Sequence, residues 1–277
     1  MLPEDCVSTI LSFTSPLDVC RSSAVSSTFS SAAESDVVWE RFLPSDYHQL
    51  LLRLVKTTTN SDFYTKKELY FHLCNPLLLD GGTKSFKIEK SSGKKSYLLS
   101  ARELLITWGD EPMYWSWKHV KESRFAEVVE LRTISWLEIH GKIRTQMLSS
   151  NTTYSAYLVM NISNRAYGLD TAPFEISVNV GNRQVSYGTV CVSGYDKNKM
   201  QEKIMKQTLK TTPFVEEKKN VIISERNDGW VEIKLGEFFT GENDDEEVKM
   251  SLTETKGYHL KAGLVIEGIE VRPNIKH

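Results

Sequence analysis

No stretch of this 277-residue sequence comes near the roughly 18–20 consecutive apolar residues that a membrane-spanning helix requires. Cysteine is sparse too. Cys6, Cys20, Cys74 and Cys191 lie far apart with no C-x-x-C pair, and are expected as buried, reduced thiols, Cys191 in a core strand. Nor is there an excess of either charge. The 36 acidic residues nearly balance the 34 basic ones, and the formal charge of −2 argues against general affinity for nucleic acid or acidic membranes. The first residues, MLPEDCVSTILSF, carry Glu4 and Asp5 and no basic segment, so they do not read as a secretory signal. The sequons at Asn151 and Asn161 are then expected to go unused. A cytoplasmic or nuclear location is the expectation.

Catalytic signatures are missing as well. There is no G-x-S-x-G, P-loop, H-E-x-x-H or G-x-G-x-x-G. His48, His72, His119, His140, His259 and His277 have no partner at metal-ligand spacing. Carboxylates abound, but nothing singles out a glycosidase pair. No catalytic residue, metal or cofactor is expected.

The sequence does hold 40% hydrophobic residues, enough for a real core, patterned in two ways. Upstream of about residue 80 the patterns are helical. Ser15-Pro16-Leu17-Asp18 reads as a helix start, with Ser as N-cap and Pro at N1. Ser35-Asp36 reads as another, and Thr65-Lys66-Lys67-Glu68 as a capping box. Asn75-Pro76 ends that helix, and Asp80-Gly81-Gly82 is a turn. Downstream the period is two: FEISVNV at 174–180, VEIKL at 231–235 and VKMSL at 248–252 alternate cleanly. Further strand candidates are 127–143, 154–162, 187–192, 220–224 and 263–271. This predicts a mainly β protein, an antiparallel sandwich behind a helical N-terminal module. The expected boundaries are 1–44 for the module, 45–80 for a helical connector and 81–277 for the sandwich.

Half of the six tryptophans fall in LLITWGDEPMYWSW, residues 104–117. A sugar ring has an apolar C–H face and a polar rim, and an aromatic face beside carboxylates suits it. Here Trp108, Tyr114, Trp115 and Trp117 surround a turn that carries Asp110 and Glu111. On a strand, Trp115 and Trp117 share one face while Tyr114 and Ser116 take the other, and one of these faces belongs to the core.

The N-terminal forty residues carry more apolar side chains than three short helices can hide, which points to packing on the sandwich or to a docking surface. LPEDCVSTILSF, SPLDVCRSSAVSSTF and VVWERFL, in this order, resemble the F-box. The resemblance implies docking on a Skp-family adaptor of a cullin ubiquitin ligase through Leu2, Pro3, Ile10, Leu11, Pro16, Leu17, Val25 and Trp39. Two departures stand out: no residues lead into Leu2-Pro3 beyond Met1, and Ser30 takes a position that is commonly basic.

A second resemblance covers residues 84–273. SARELLITWGDEPMYWSW, FAEVVELRTISWLEIHGKI, NDGWVEIKLGEFF, EEVKMSLTE and GLVIEGIEVRP are similar to the plant phloem protein 2 family, which includes the Nictaba lectin. The resemblance implies a jelly-roll-type β-sandwich that binds N-acetylglucosamine oligomers and N-glycan cores. The sugar site it implies is Trp108, Trp115, Glu247 and Glu254, with Trp117 left to the core. Glu247 and Glu254 are seven apart, so on one strand they face opposite sides; they share a site only if Glu247 lies in a loop. The segment 181–224 matches the lectin least. Its lysines 197, 199, 203, 206 and 210 read as a solvated stretch or a nuclear import signal. The lectin dimerises, so a homodimer is a further possibility.

Together the two resemblances imply a non-catalytic substrate-recognition subunit of a Skp–cullin–F-box ubiquitin ligase that captures glycans or glycoproteins. The alternative is a lectin-like module without sugar binding that recruits protein targets.

Overall fold

The computed structural model describes residues 2–55, 65–192, 223–242 and 244–274. The lysine-rich stretch 197–210 lies outside the described residues.

Six short helices come first: α1 (Glu4–Ser12), α2 (Pro16–Ser22), α3 (Ser27–Glu34), α4 (Asp36–Phe42), α5 (Tyr47–Arg53) and α6 (Lys66–Leu73). Two expected caps are present. Ser15 Oγ accepts from the Asp18 N–H, and Thr65 and Glu68 form a complete capping box. At the third start, Ser35 makes no side-chain cap. The Asp36 carboxylate accepts instead from the Lys66 backbone N–H at 2.7 Å, which joins α4 to α6.

The rest is strand: β1 (Leu77–Leu79), β2 (Lys84–Ile88), β3 (Lys95–Ser100), β4 (Leu105–Ile106), β5 (Trp115–Lys118), β6 (Val128–Leu131), β7 (Leu137–Arg144), β8 (Thr152–Tyr167), β9 (Phe174–Val180), β10 (Arg183–Val190), β11 (Ile223–Glu225), β12 (Val231–Thr240), β13 (Glu247–Glu254) and β14 (Ala262–Pro273). They form two antiparallel sheets. One runs β1-β2-β3-β14-β8-β12-β11, with β6 also on β14 and β5 on β6; the other runs β10-β9-β13-β7-β4. The helical module followed by an antiparallel sandwich is the fold class expected from the sequence. Alternation sets the inner faces: in β7, Leu137, Ile139, Gly141 and Ile143 are buried while the residues between them are not. A Cβ on Gly141 would lie 2.8 Å from Ile269 Cδ1 of the opposite sheet, so a side chain here would force the layers apart.

The helices share one continuous core with the sandwich. Trp39 is buried among the rings of Phe42, Tyr70 and Phe71, with centroids 5.1–5.8 Å away. Lys95 of β3 pairs with Asp46 at 2.8 Å, and Arg53 grips Asp80 through two bonds of 2.9 and 2.7 Å.

The cysteines depart from expectation. Cys6, Cys20 and Cys191 are exposed, Cys191 just past the end of β10, and only Cys74 is partly covered. Burial pushes the Cys74 thiol up to about 11.

Candidate functional site

The aromatic stretch folds as a turn followed by a strand. The turn is closed by Gly109 N–H to Ile106 O at 2.9 Å and Glu111 N–H to Trp108 O at 2.9 Å. Trp108 sits at its apex with φ +53°, a left-handed conformation that is costly for a bulky residue. The neighbouring tryptophans hold it there. Trp115 donates its indole N–H to Thr107 O at 3.0 Å, and Trp117 donates to Gly109 O at 3.0 Å. Trp108 is left 49% exposed, with its ring 5.2 Å from that of Tyr114.

Trp115 is 1% exposed, which corrects the expectation that it stacks on sugar. Strand alternation put one face of β5 in the core, and Trp115 is on it. Trp117, expected in the core, is only half-buried. It lines a cavity of about 320 Å³ with Arg102, Thr107, Asp110 and His140. The Arg102 guanidinium lies 3.5 Å from the Trp117 ring centroid, so that ring face is already covered.

The two expected glutamates do not meet. Glu247 and Glu254 are the first and last residues of β13, opposite Arg144 and Leu137 of β7. Seven residues of strand separate them by roughly 23 Å, more than one sugar ring can bridge. Glu247 stands near Lys142 and Lys249, at 3.4 and 3.6 Å. Glu254 points into the core and pairs with Lys261; it also accepts the backbone N–H groups of Lys256 and Gly257 at 3.1 and 2.6 Å. At 3% exposure it is a structural carboxylate that folds back the 255–260 loop.

A carboxylate tied to this turn through Thr107, the residue before Trp108, is Glu138. It follows the TISW motif on β7, and its backbone O accepts from Thr107 N–H at 3.1 Å. Its Oε2 accepts from Thr107 Oγ1 at 3.2 Å, and it has no ion pair among the described residues. The alternation W-L-E-I-H carried the signal: it puts Trp136, Glu138 and His140 on the outer face.

The N-terminal module has an apolar surface of its own. Leu2, Pro3, Ile10, Leu17 and Val25 are exposed, as is Phe13. Leu11, Pro16 and Trp39 are buried and shape this surface from beneath; Trp39 spends its indole N–H on Ala33 O at 2.7 Å. No helix among the described residues is long and apolar enough to cross a membrane.

Comparison with known proteins agrees with this division. The family model described as F-box domain matches residues 1–41, and that of Phloem protein 2 matches 94–273. Three Arabidopsis thaliana proteins are similar over nearly the whole chain. F-box protein PP2-B15 is 51% identical across 99% of this chain and 96% of its own. F-box protein PP2-B13 is 49% identical across 99% and 98%, and F-box protein VBF 47% identical across 99% and 99%. With a helical adaptor module and a sandwich that each match, the chain belongs to the F-box-bearing branch of the phloem protein 2 family, as an F-box substrate-recognition protein.

Proposed function

We propose that this chain is the substrate-recognition subunit of a Skp–cullin–F-box ubiquitin ligase that captures N-acetylglucosamine-bearing glycans or glycoproteins. The observation that carries the glycan half is Trp108, an exposed indole in a left-handed turn whose preceding residue, Thr107, is bonded to the Glu138 carboxylate. The ring offers its face to the apolar side of a sugar, and the carboxylate accepts charge-assisted bonds from hydroxyl or amide groups. Glu247 and Glu254 are replaced in this reading by Glu138. On the other module, Leu2, Ile10, Leu17 and Val25 offer side chains to a helical adaptor. The chain performs no chemistry in this scheme; it raises the concentration of its target near the ubiquitin-transfer machinery.

A glycan array with the full chain tests the reading, with Trp108→Ala as control. Binding to N-acetylglucosamine-rich glycans that the folded variant loses supports it; no binding by the wild type sinks it. A second reading has an observation of its own. Trp115 and Glu254 are engaged in packing and a buried ion pair. A module that kept them for stability alone would recruit protein targets without sugar, and would leave the array blank.

A further inference from the structure

The F-box match ends at residue 41 and the phloem protein 2 match begins at residue 94, and two such modules could be joined by a loose tether. Here α6, from the stretch between them, is a wedge bound on both sides. Toward the helical module, its Lys66 N–H donates to Asp36, Lys66 Nζ pairs with Glu40 at 3.0 Å and Lys67 Nζ with Glu34 at 2.5 Å. Its Tyr70 and Phe71 rings close over Trp39. Toward the sandwich, the fully buried Tyr70 donates its hydroxyl to the carbonyls of Glu89 and Lys90 at 3.3 and 3.2 Å, in the turn that joins β2 to β3. The Lys90 ammonium lies 5.6 Å from the Phe71 ring centroid.

The same turn meets the helical module directly at one residue. Gly93 has φ +68°, and its N–H closes the turn on Glu89 O at 2.7 Å. A Cβ here would lie 2.8 Å from Phe42 O at the end of α4 and 3.6 Å from the Tyr70 ring. A backbone carbonyl does not yield as a flexible side chain does, so it is glycine that lets α4, α6 and the turn close on one another. Just past the turn, the buried Lys95 pairs with Asp46 at 2.8 Å.

We propose that Tyr70 and Gly93 are positioning residues for ubiquitin transfer: they lock the adaptor-docking module onto the sandwich in one orientation, so that an acceptor lysine reaches the transfer machinery from one direction. This rests on the ligase reading and is independent of what the sandwich captures. In the transfer, a lysine amine attacks the carbonyl of a ubiquitin thioester. An isopeptide C–N bond forms as the C–S bond breaks, and the thiol of the conjugating enzyme leaves with the proton of the amine. A tether alone raises the local concentration of the amine. A fixed orientation adds its alignment with the thioester, which is the further part of the barrier that positioning removes.

The test uses the full chain. Gly93→Asn is the informative change, because asparagine accepts a left-handed φ but brings the Cβ that Phe42 O excludes. Gly81→Asn is its control, since φ there is +70° and no atom lies within 4 Å of the added Cβ. Tyr70→Phe keeps the ring and removes only the bonds to the turn. In a Cys20→Ser background, spin labels on the exposed Cys6 of α1 and Cys191 beyond β10 report the distance between the modules. The wild type and Gly81→Asn are expected to give one narrow distribution, which shifts and broadens in Gly93→Asn and does so less in Tyr70→Phe. Reconstituted with a Skp-family adaptor, cullin and ubiquitin, the chain serves as its own acceptor. The wild type should be modified on a restricted set of sandwich lysines, and Gly93→Asn on a wider set and more slowly, with adaptor capture retained. Folded Gly93→Asn and Tyr70→Phe chains that keep both the wild-type distances and the wild-type lysines overturn this proposal and spare the ligase reading. A wild type with narrow distances that no adaptor captures overturns the ligase reading, and the role in transfer with it.

Discussion

Trp115 donates its indole N–H to the carbonyl of Thr107 at 3.0 Å, so a core residue fixes the residue just before the exposed Trp108. Trp117, two positions on, fixes Gly109 just after it. The two-residue period of β5 matches the two-residue span of the turn, and the strand grips the turn on both sides of its apex. Trp115→Ala removes a buried ring and this bond, at a cost of about 3–5 kcal/mol. Trp108→Ala removes an exposed ring and should stay within about 0.5 kcal/mol of the wild type. Urea denaturation is thus expected to separate the two variants, and equal midpoints would contradict the structural role assigned to Trp115.

Glu254 and Lys261 bury opposite charges against each other at the end of β13. Glu254→Gln strands the ammonium without a counter-charge, and a loss of about 3–5 kcal/mol is expected. Replacing both residues with Met should recover only part of it: no charge is then left in the core, but the Lys256 and Gly257 N–H groups and the Ser135 carbonyl lose their partners. Glu247→Gln touches only partly exposed pairs and should change stability by less than about 1 kcal/mol. Equal denaturation midpoints for Glu254→Gln and Glu247→Gln would contradict the structural role assigned to Glu254.

Alternation and caps made much of the fold legible. FEISVNV and VKMSL became β9 and β13, and the Thr65 box opened α6. The candidate 127–143 is two strands, because Ile134 leaves the ladder to bridge Lys261. The hairpin of β2 and β3 was not among the strand candidates; charged residues such as Lys87 and Lys95 break its apolar pattern. For the site, sequence fixed the residue types but not their directions. Trp115 and Trp108 are equally aromatic, and only the left-handed φ at Trp108 and the core face of β5 tell them apart. Glu254 stands as a sugar-site candidate in the sequence because its buried partner, Lys261, is contributed from beyond a loop. Glu138 lay in plain sight in WLEIH, on the face that strand alternation turns outward.

Ile10 and Leu17 test the docking surface of the helical module. Both are exposed, so Ile10→Asp or Leu17→Asp should leave thermal stability close to that of the wild type. An acidic side chain in a desolvated contact is costly, so co-purification with a Skp-family adaptor should fall at least tenfold. Trp39→Ala is expected to fail differently. It empties a pocket shared with Tyr70 and Phe71 and should lower stability by about 3–5 kcal/mol. Adaptor capture unaffected by both aspartates would remove this face from the interface.

Glu267 gives stability a pH dependence with a defined sign. Its side chain is fully buried on the large sheet. Oε1 accepts from Arg124 N–H at 2.9 Å and Ser123 Oγ at 3.1 Å, while Oε2 has no partner among the described residues. Burial holds its pKa above the ordinary glutamate value, against the pull of the Arg124 N–H and charge. A carboxyl with a raised folded pKa is neutral in both states at low pH and costs nothing there. As pH rises from the unfolded value through the folded one, the folded state has to carry a charge it disfavours, and stability is lost. Glu267→Gln keeps an acceptor for both bonds and never charges. It should therefore be more stable than the wild type at neutral pH, and the gap should close below the ordinary glutamate range. Glu270 behaves oppositely: burial would raise it, but Arg226 and Arg272 hold it low, so its contribution is present at neutral pH and lost on acidification. Because Glu270 is the same in both proteins, its loss at acid pH falls on wild type and variant alike. Urea denaturation of the pair at neutral and acid pH isolates Glu267, and a gap that stays or widens on acidification would refute the assignment.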